Sequence, residues 1–317
     1  CFSMKKLLIT VVVLLLVVVL AGVLTVYFHP IAVLSALKRR ALVKSGFAKS
    51  MLDSPVGAQT VFTAGSGPTL IFLHGAGDNA GTWEKVAPEF TGNYRVVVAD
   101  LAGHGESAPA TGPLKFDTML AGLDAVIAKQ PAPVTLVGNS LGAWLAMLYA
   151  MQHPERVARV VAVDGGPLRG ERVDLAKLPA NREEARKIWD AILDPGSPRI
   201  PDFILDDVVR VSHTGAIGRM DLADLQQNVV TDERLQSLSV PIDLMWGEAD
   251  RLVPLDYAQR MVARIPAVRL TTIPRCGHIP QGECPATFSA ALRKVLAETA
   301  PPPSPAAAVE TAVGKEK

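Results

Sequence analysis

Gly138-Asn139-Ser140-Leu141-Gly142 sets one hydroxyl between two glycines, where a β-branched apolar run from Val134 gives way to the helix-compatible run Ala143 to Ala150. Between a strand and a helix, this G-x-S-x-G spacing reads as a nucleophile elbow. Side chains at Gly138 and Gly142 would collide with neighbouring backbone, and the strained turn lifts the hydroxyl above the sheet edge, beside the first amides of the new helix. A serine hydroxyl is a poor nucleophile until a base takes its proton, and the base needs an acid to orient it. Both follow downstream, each after an apolar strand-like run: Asp250 in Gly247-Glu248-Ala249-Asp250, and His278 in Cys276-Gly277-His278. Of the six histidines, only His278 lies on a glycine-containing loop after the last expected strand.

Acyl transfer also needs donors aimed at the developing oxyanion. Residues 69–73 read as a buried strand that opens into His74-Gly75-Ala76-Gly77. The expected donors are the backbone amides of Leu141, just after the nucleophile, and Ala76, in this loop. His74 reads as a structural hydrogen-bonder rather than a second base. Asp164, at the end of the run Val160-Val161-Ala162-Val163, is a rival to Asp250 for the acid. Replacing each with asparagine separates the two.

These segments, with Asp100-Leu101-Ala102-Gly103-His104-Gly105-Glu106-Ser107 and Trp246-Gly247-Glu248-Ala249-Asp250, resemble the α/β-hydrolase superfamily from about residue 59 to 299. The resemblance implies a triad in the chain order Ser140, Asp250, His278, favours Asp250 over Asp164, and makes Asp100 and His104 structural. The single-residue oxyanion loop is similar to that of lipases, monoacylglycerol lipases, C–C bond hydrolases and cofactor-free haloperoxidases. Serine at the elbow separates the chain from the epoxide-hydrolase and dehalogenase branches, which carry aspartate there.

Positioning these groups requires a scaffold. Apolar runs predict strands over 59–64, 69–73, 95–99, 134–138, 157–163, 240–246 and 268–273, and helices over 115–129, 141–152, 255–265 and 285–299. Alternation of strand and helix implies an α/β protein: a mostly parallel, doubly wound sheet with catalytic loops at its carboxyl edge. Residues 53–166 and 236–299 form the expected hydrolase core. Residues 167–235 read as a helical cap, with helices over 181–193, 201–211 and 218–230, and the resemblance places a cap at this point. Ile188, Trp189, Ile192, Phe203, Ile204, Leu205, Met220, Leu222 and Leu225 are its apolar positions, mostly packing, with a few expected to line an acyl tunnel. Residues 300–317, rich in Pro and Ala, read as a disordered tail.

Residues 7–28 contain no charge and are mostly Val and Leu, enough to cross roughly 30 Å of hydrocarbon as a helix. No small-x-small cleavage site is evident before Pro30, which favours an uncleaved anchor over a signal peptide. Residues 1–6 precede the anchor on the cytoplasmic side; Met4-Lys5-Lys6 reads as a natural start, with residues 1–3 as a cloning remnant. Residues 1–52 hold seven basic and no acidic residues, so the remainder carries 25 basic against 31 acidic. Residues 29–52 are therefore expected to form a basic juxtamembrane helix, on anionic headgroups, solvated, or packed on a partner subunit. The acidic body and the membrane-adjacent cations exclude a nucleic-acid partner. A homodimer through the N-terminal helix is compatible with the sequence, although small residues are sparse there.

Cys276 and Cys284 bracket His278 and would staple its loop if paired in an oxidising compartment; free thiols are the expectation, since spacing alone does not guarantee disulfide geometry. No metal or cofactor is expected, for there is no C-x-x-C, His-x-x-x-His or Walker-type spacing. The combined expectation is a single-pass serine hydrolase of a bacterial inner membrane with a periplasmic catalytic domain. It would cleave carboxylic esters of lipids, phospholipase A or lysophospholipase type first, and hold fatty acid product in its apolar pocket. Monoacylglycerol lipase, broad carboxylesterase, C–C bond hydrolase, acyltransferase and a non-catalytic binding protein on the same fold are the alternatives.

Overall fold

In a computed structural model, residues 4–168, 178–265 and 268–298 are described. The tail expected over 300–317 lies outside them, as do residues 1–3. The chain begins with helix α1 (Met4–Phe28) and helix α2 (Pro30–Lys44), followed by strands β1 (Ala48–Leu52), β2 (Gln59–Ala64), β3 (Thr69–Leu73) and β4 (Arg95–Ala99). Helix α3 (Phe116–Ala128), strand β5 (Val134–Asn139), helix α4 (Leu141–Gln152) and strand β6 (Val157–Val163) complete the first half. Five cap helices follow: α5 (Arg182–Ile192), α6 (Asp202–Thr214), α7 (Ala216–Arg219), α8 (Leu222–Gln227) and α9 (Asp232–Gln236). The core resumes with β7 (Ile242–Gly247), α10 (Leu255–Val262), β8 (Arg269–Ile273), α11 (Pro280–Glu283) and α12 (Pro285–Ala297).

The eight strands form one sheet in the order β1-β2-β4-β3-β5-β6-β7-β8. Pairings β1–β2 and β2–β4 are antiparallel and all others parallel. This is the α/β-hydrolase fold that the sequence predicts. From β3 the chain passes to β4 on one side and to β5 on the other, so β3 and β5 border a topological switch point, where open α/β sheets present their sites. The pleat sends alternate residues to opposite faces. On β3, Ile71 and Leu73 join α3, α4 and α10 on one face, while Leu70 and Phe72 join Trp83, Phe90 and Phe288 on the other.

Two segments depart from expectation. The helix predicted over 29–52 stops at Lys44, and residues 48–52 form β1, an antiparallel edge strand. That strand is mostly exposed, so it lacks the apolar signature by which the inner strands are recognised. Helix α2 is bound to its own domain. Leu42 is buried in the core with Trp83 and Phe288, and Arg39 pairs with the buried Asp100 at 3.0 Å and with Glu106 at 2.9 Å. Lys49 also pairs with Glu106. Part of the cationic run thus neutralises carboxylates of its own domain, buried Asp100 among them. In the cap, the helix expected over 218–230 is broken into α7 and α8, because Asp221 caps α8 by accepting the amides of Ala223 and Asp224.

Helix α1 is the candidate membrane span: Lys6–Phe28 has a mean hydropathy of 3.4, and its residues lie outside the protein core. Its last turn touches the cap, where Tyr27 stacks on Phe203 with ring centroids 5.7 Å apart. The first amide of α2 that follows, Ile31 N–H, donates to buried Asp207 of α6 at 3.0 Å. Ile31 itself packs with Leu205 and Val208. The N-terminal helices and the α5–α6 region are therefore joined by a helix cap, a ring stack and an apolar contact.

Candidate active site

Ser140 sits at the turn between β5 and α4 with φ 53° and ψ −114°, a conformation that non-glycine residues rarely adopt. The flanking glycines are required by close approach. A Cβ on Gly138 would lie 2.3 Å from the Gly142 carbonyl carbon, and one on Gly142 would lie 2.5 Å from Leu73 O. Ser140 N–H donates to Val163 O at 2.9 Å, tying the turn to the end of β6. Leu141 is the first residue of α4, so its amide has no acceptor within the helix. The loop after β3 closes on the same turn: a Cβ on Gly75 would be 3.3 Å from Ser140 Cβ. Ala76 follows on that loop and is exposed.

Asp250 and His278 lie on the loops after β7 and β8, and both are buried. His278 Nδ1–H donates to Asp250 Oδ2 at 2.7 Å. Asp250 Oδ1 accepts the amides of Leu252 and Val253, each at 2.9 Å, so both carboxylate oxygens are occupied. The two loops hold each other through Ala249 N–H on Cys276 O at 2.8 Å. The structure also pairs Cys276 with Cys284, with Cα atoms 6.1 Å apart, correcting the expectation of free thiols. Folding the chain back through α11 brings the two cysteines together, a geometry that their spacing alone does not give.

His74 has the structural part expected of it. Nδ1–H donates to Gly75 O at 2.7 Å, and Nε2 accepts Leu101 N–H at 3.0 Å, which fixes the neutral tautomer. Desolvation holds its pKa below the ordinary histidine value. His104, with its ring centroid 5.3 Å from that of His74, is pushed down to about 3 by desolvation and then by the neighbouring imidazole. Asp100 accepts from Ala80 N–H at 2.7 Å and Glu106 N–H at 2.8 Å besides Arg39, tying the end of the loop after β3 to the loop after β4. Asp164, the rival acid, accepts Gly247 N–H at 2.8 Å, whereas His278 bonds Asp250.

Several residues that shape the site carry no motif. Ile192, at the end of α5, accepts His278 N–H at 2.7 Å. A Cβ on Gly277 would fall 2.0 Å from that same carbonyl oxygen, so glycine is needed for the cap to close on the loop. Glu283 accepts Gly277 N–H at 2.6 Å and Asp194 N–H at 2.7 Å, and also bonds the Ser197 hydroxyl, linking the histidine loop to the cap. Arg251 bonds the carbonyls of Asp190 and Leu193 from the acid loop. Ile217 of α7 lies over Gly77, where an added Cβ would be 2.4 Å from its Cδ1. Sequence patterning could have suggested Glu283 only through its place between the two cysteines. An open depression of about 440 Å³, lined by ion-paired Arg182, Arg186, Asp202 and Asp206, contains none of Ser140, Asp250 and His278. Among the described residues no cluster of His, Cys, Asp and Glu has metal-binding geometry.

Comparison with known proteins follows the same lines. Residues 70–291 match the model of the alpha/beta hydrolase family. The chain is 31% identical over 236 residues to the pimeloyl-acyl-carrier-protein methyl ester esterase of Aromatoleum aromaticum, covering 67% of this chain and 92% of that protein. It is 27% identical over 251 residues to the 2-hydroxy-6-oxononadienedioate/2-hydroxy-6-oxononatrienedioate hydrolase of Cupriavidus pinatubonensis, covering 72% and 86%. A solved membrane phospholipase A, described as a bacterial virulence factor, superposes with a TM-score of 0.74 at 25% identity, covering 92% of this chain and 98% of that one. With the family match spanning most of the body, and an eight-stranded sheet in the corresponding order, the chain belongs to the alpha/beta hydrolase family.

Proposed function

We propose that this protein is a membrane-anchored serine hydrolase that cleaves carboxylic esters of lipids, with phospholipids or lysophospholipids as the first substrate class. The carrying observation is the 2.7 Å bond between buried His278 Nδ1 and Asp250 Oδ2, on loops that meet the strained Ser140 turn. With Nδ1 committed to the carboxylate, Nε2 is the nitrogen left to take the Ser140 proton. Ser140 Oγ attacks the acyl carbonyl, the amides of Leu141 and Ala76 receive the oxyanion, and His278 returns the proton to the leaving alcohol. Water then cleaves the acyl-enzyme by the same route. Asp250 keeps the imidazole in the required tautomer and stabilises its charged form.

The lipid assignment rests on the anchor. Tyr27, at the end of the apolar helix, stacks on Phe203, and Asp207 caps the next helix, so an inserted α1 would hold the cap helices at the membrane surface. A tethered site meets bilayer-derived acyl chains at high local concentration. The likeness to a membrane phospholipase A over 92% of the chain supports the same reading. The disulfide supports a catalytic domain on the oxidising, periplasmic side of a bacterial inner membrane. Likeness to an esterase and a C–C bond hydrolase keeps a soluble small substrate as the second reading, for which a membrane span has no evident use.

The test is fatty-acid release from phosphatidylethanolamine vesicles and monoacylglycerol by full-length protein, against Ser140→Ala. We expect release by the wild type and a loss of at least about 10⁴-fold in the variant. Hydrolysis of short soluble esters with no fatty acid released from either lipid would defeat the lipid reading.

A further inference from the structure

Asp164 is wholly buried and directly follows β6 with a φ of 48°, a conformation unfavourable for any residue with a Cβ. Its Oδ1 accepts the Gly247 amide at 2.8 Å. Its Oδ2 is also buried and meets no donor. Gly247 O in turn accepts Asp250 N–H at 3.2 Å, which sets the Asp164 carboxyl beside the start of the Asp250 loop, where the Asp250 charge acts on it. Asp250 offers no donor, since both of its oxygens already accept bonds from Leu252, Val253 and His278. Two ionised carboxylates cannot bond one another, and a buried charge with an unsatisfied oxygen is unfavourable. A single proton removes both difficulties.

We propose that Asp164 is a neutral carboxylic acid whose O–H donates to Asp250, a positioning residue that backs the Ser140–His278–Asp250 triad. The inference rests on the triad assignment above. Asp164 keeps its proton throughout the cycle, and no bond to substrate forms or breaks at it. Asp250 thereby receives a fourth donor, which fixes its rotamer while it retains the negative charge that opposes the imidazolium. Burial first, and then the Asp250 charge, hold the Asp164 pKa well above the ordinary carboxylate value; Glu283 acts in the same direction, and His278 stands beyond Asp250. The segment is packed directly on the nucleophile, for a Cβ on Gly165 would be 2.5 Å from Ser140 O. A shift in this carboxyl pair therefore reaches both the acid and the elbow.

The experiment uses the full chain in detergent micelles and a short-chain p-nitrophenyl ester, so that the outcome is independent of lipid preference. Asp164→Asn retains a donor in place of the O–H and is expected to keep kcat/KM within about fivefold, with an unchanged acidic limb of the pH profile. Asp164→Leu removes the donor; kcat is expected to fall at least about tenfold with KM little changed, and the acidic limb to move to higher pH. Infrared spectroscopy at neutral pH should show a protonated-carboxyl C=O stretch in the wild type that is missing in Asp164→Asn. Absence of that band in the wild type overturns the proposal. So does an Asp164→Asn variant as inactive as expected of Asp250→Asn, because Asp164 would then be the ionised acid. Ser140→Ala is assayed alongside: retained hydrolysis overturns the triad reading, while the infrared band decides the protonation of Asp164 by itself.

Discussion

Asn139 donates its side-chain amide to the backbone carbonyl of His278 at 2.9 Å, so the residue before Ser140 holds the loop that carries His278. The same amide bonds Val163 O at 3.3 Å, and its oxygen accepts Gln281 Nε2 at 3.0 Å. All of this lies in the interior, where an unpaired carbonyl is costly. Asn139→Asp supplies no donor and Asn139→Leu supplies no polar group. Each is expected to lower stability by about 1–3 kcal/mol and kcat by about 10- to 100-fold, with KM little affected, because substrate binding does not use this contact. Steady-state kinetics and denaturant titration of the same preparations check both numbers. An unchanged kcat would show that His278 is positioned without Asn139.

The disulfide between Cys276 and Cys284 closes a short loop around His278, the partners lying eight positions apart in the sequence. Chain-entropy arguments give about 2–3 kcal/mol for a loop of this size. The doubly substituted Cys276→Ala/Cys284→Ala protein should be destabilised by about that amount, and reductant should lower the wild-type melting temperature without affecting the double variant. Activity should fall less than stability, since Glu283, Ile192 and Asn139 also hold the loop. A reductant effect of equal size in both proteins would assign it to something other than this bridge.

Much of this arrangement is legible in the sequence, and the parts that are not share a cause. The inner strands are buried on both faces, so they appear as apolar runs; β3, with all five residues buried, is the plainest. Ser140, Asp250 and His278 stand out because glycine and loop chemistry mark their positions. Strand β1 was invisible because it is an exposed edge. Asn139, Glu283 and Arg251 act through bonds to backbone groups that are distant in sequence, which no local pattern encodes. Arg39 reads as one more juxtamembrane cation, and only the fold reveals Asp100 and Glu106 facing it. The cysteine pair illustrates the same limit, since pairing depends on a Cα separation that α11 sets.

The bond from Ile31 N–H to Asp207 links the N-terminal helices to α6, and the Tyr27–Phe203 stack reinforces it. If the cap must be held at the bilayer to take up lipid, loosening this link should affect bilayer substrate more than a soluble ester. The pair Asp207→Asn and Phe203→Ala is expected to reduce fatty-acid release from vesicles by about tenfold while short-ester hydrolysis stays within about twofold. The two rates measured on one preparation give the ratio directly. Parallel loss of both rates would mean that Asp207 merely supports the cap, where it also pairs with Arg210 at 2.6 Å.

His74 and His104 tie stability to pH. Both are buried and neutral in the folded protein, with His104 pushed down to about 3 and His74 lowered by the same desolvation. In the unfolded chain each titrates near the ordinary histidine value of about 6.5. Below that pH the unfolded chain therefore binds protons that the folded protein does not. Stability is full above the unfolded pKa and declines as pH falls towards the folded one. Each imidazole contributes a slope of about 1.4 kcal/mol per pH unit inside that window. Most carboxylates titrate below pH 5; buried Asp164, protonated in the folded protein and ionised in the unfolded chain, opposes the two histidines in the interval from about 6.5 to 5 and offsets one of them, leaving a net fall. The melting temperature should fall across this interval, and His104→Gln, whose side chain does not ionise, should flatten the fall. An equally steep decline in the variant would move the origin of the acid sensitivity away from His104.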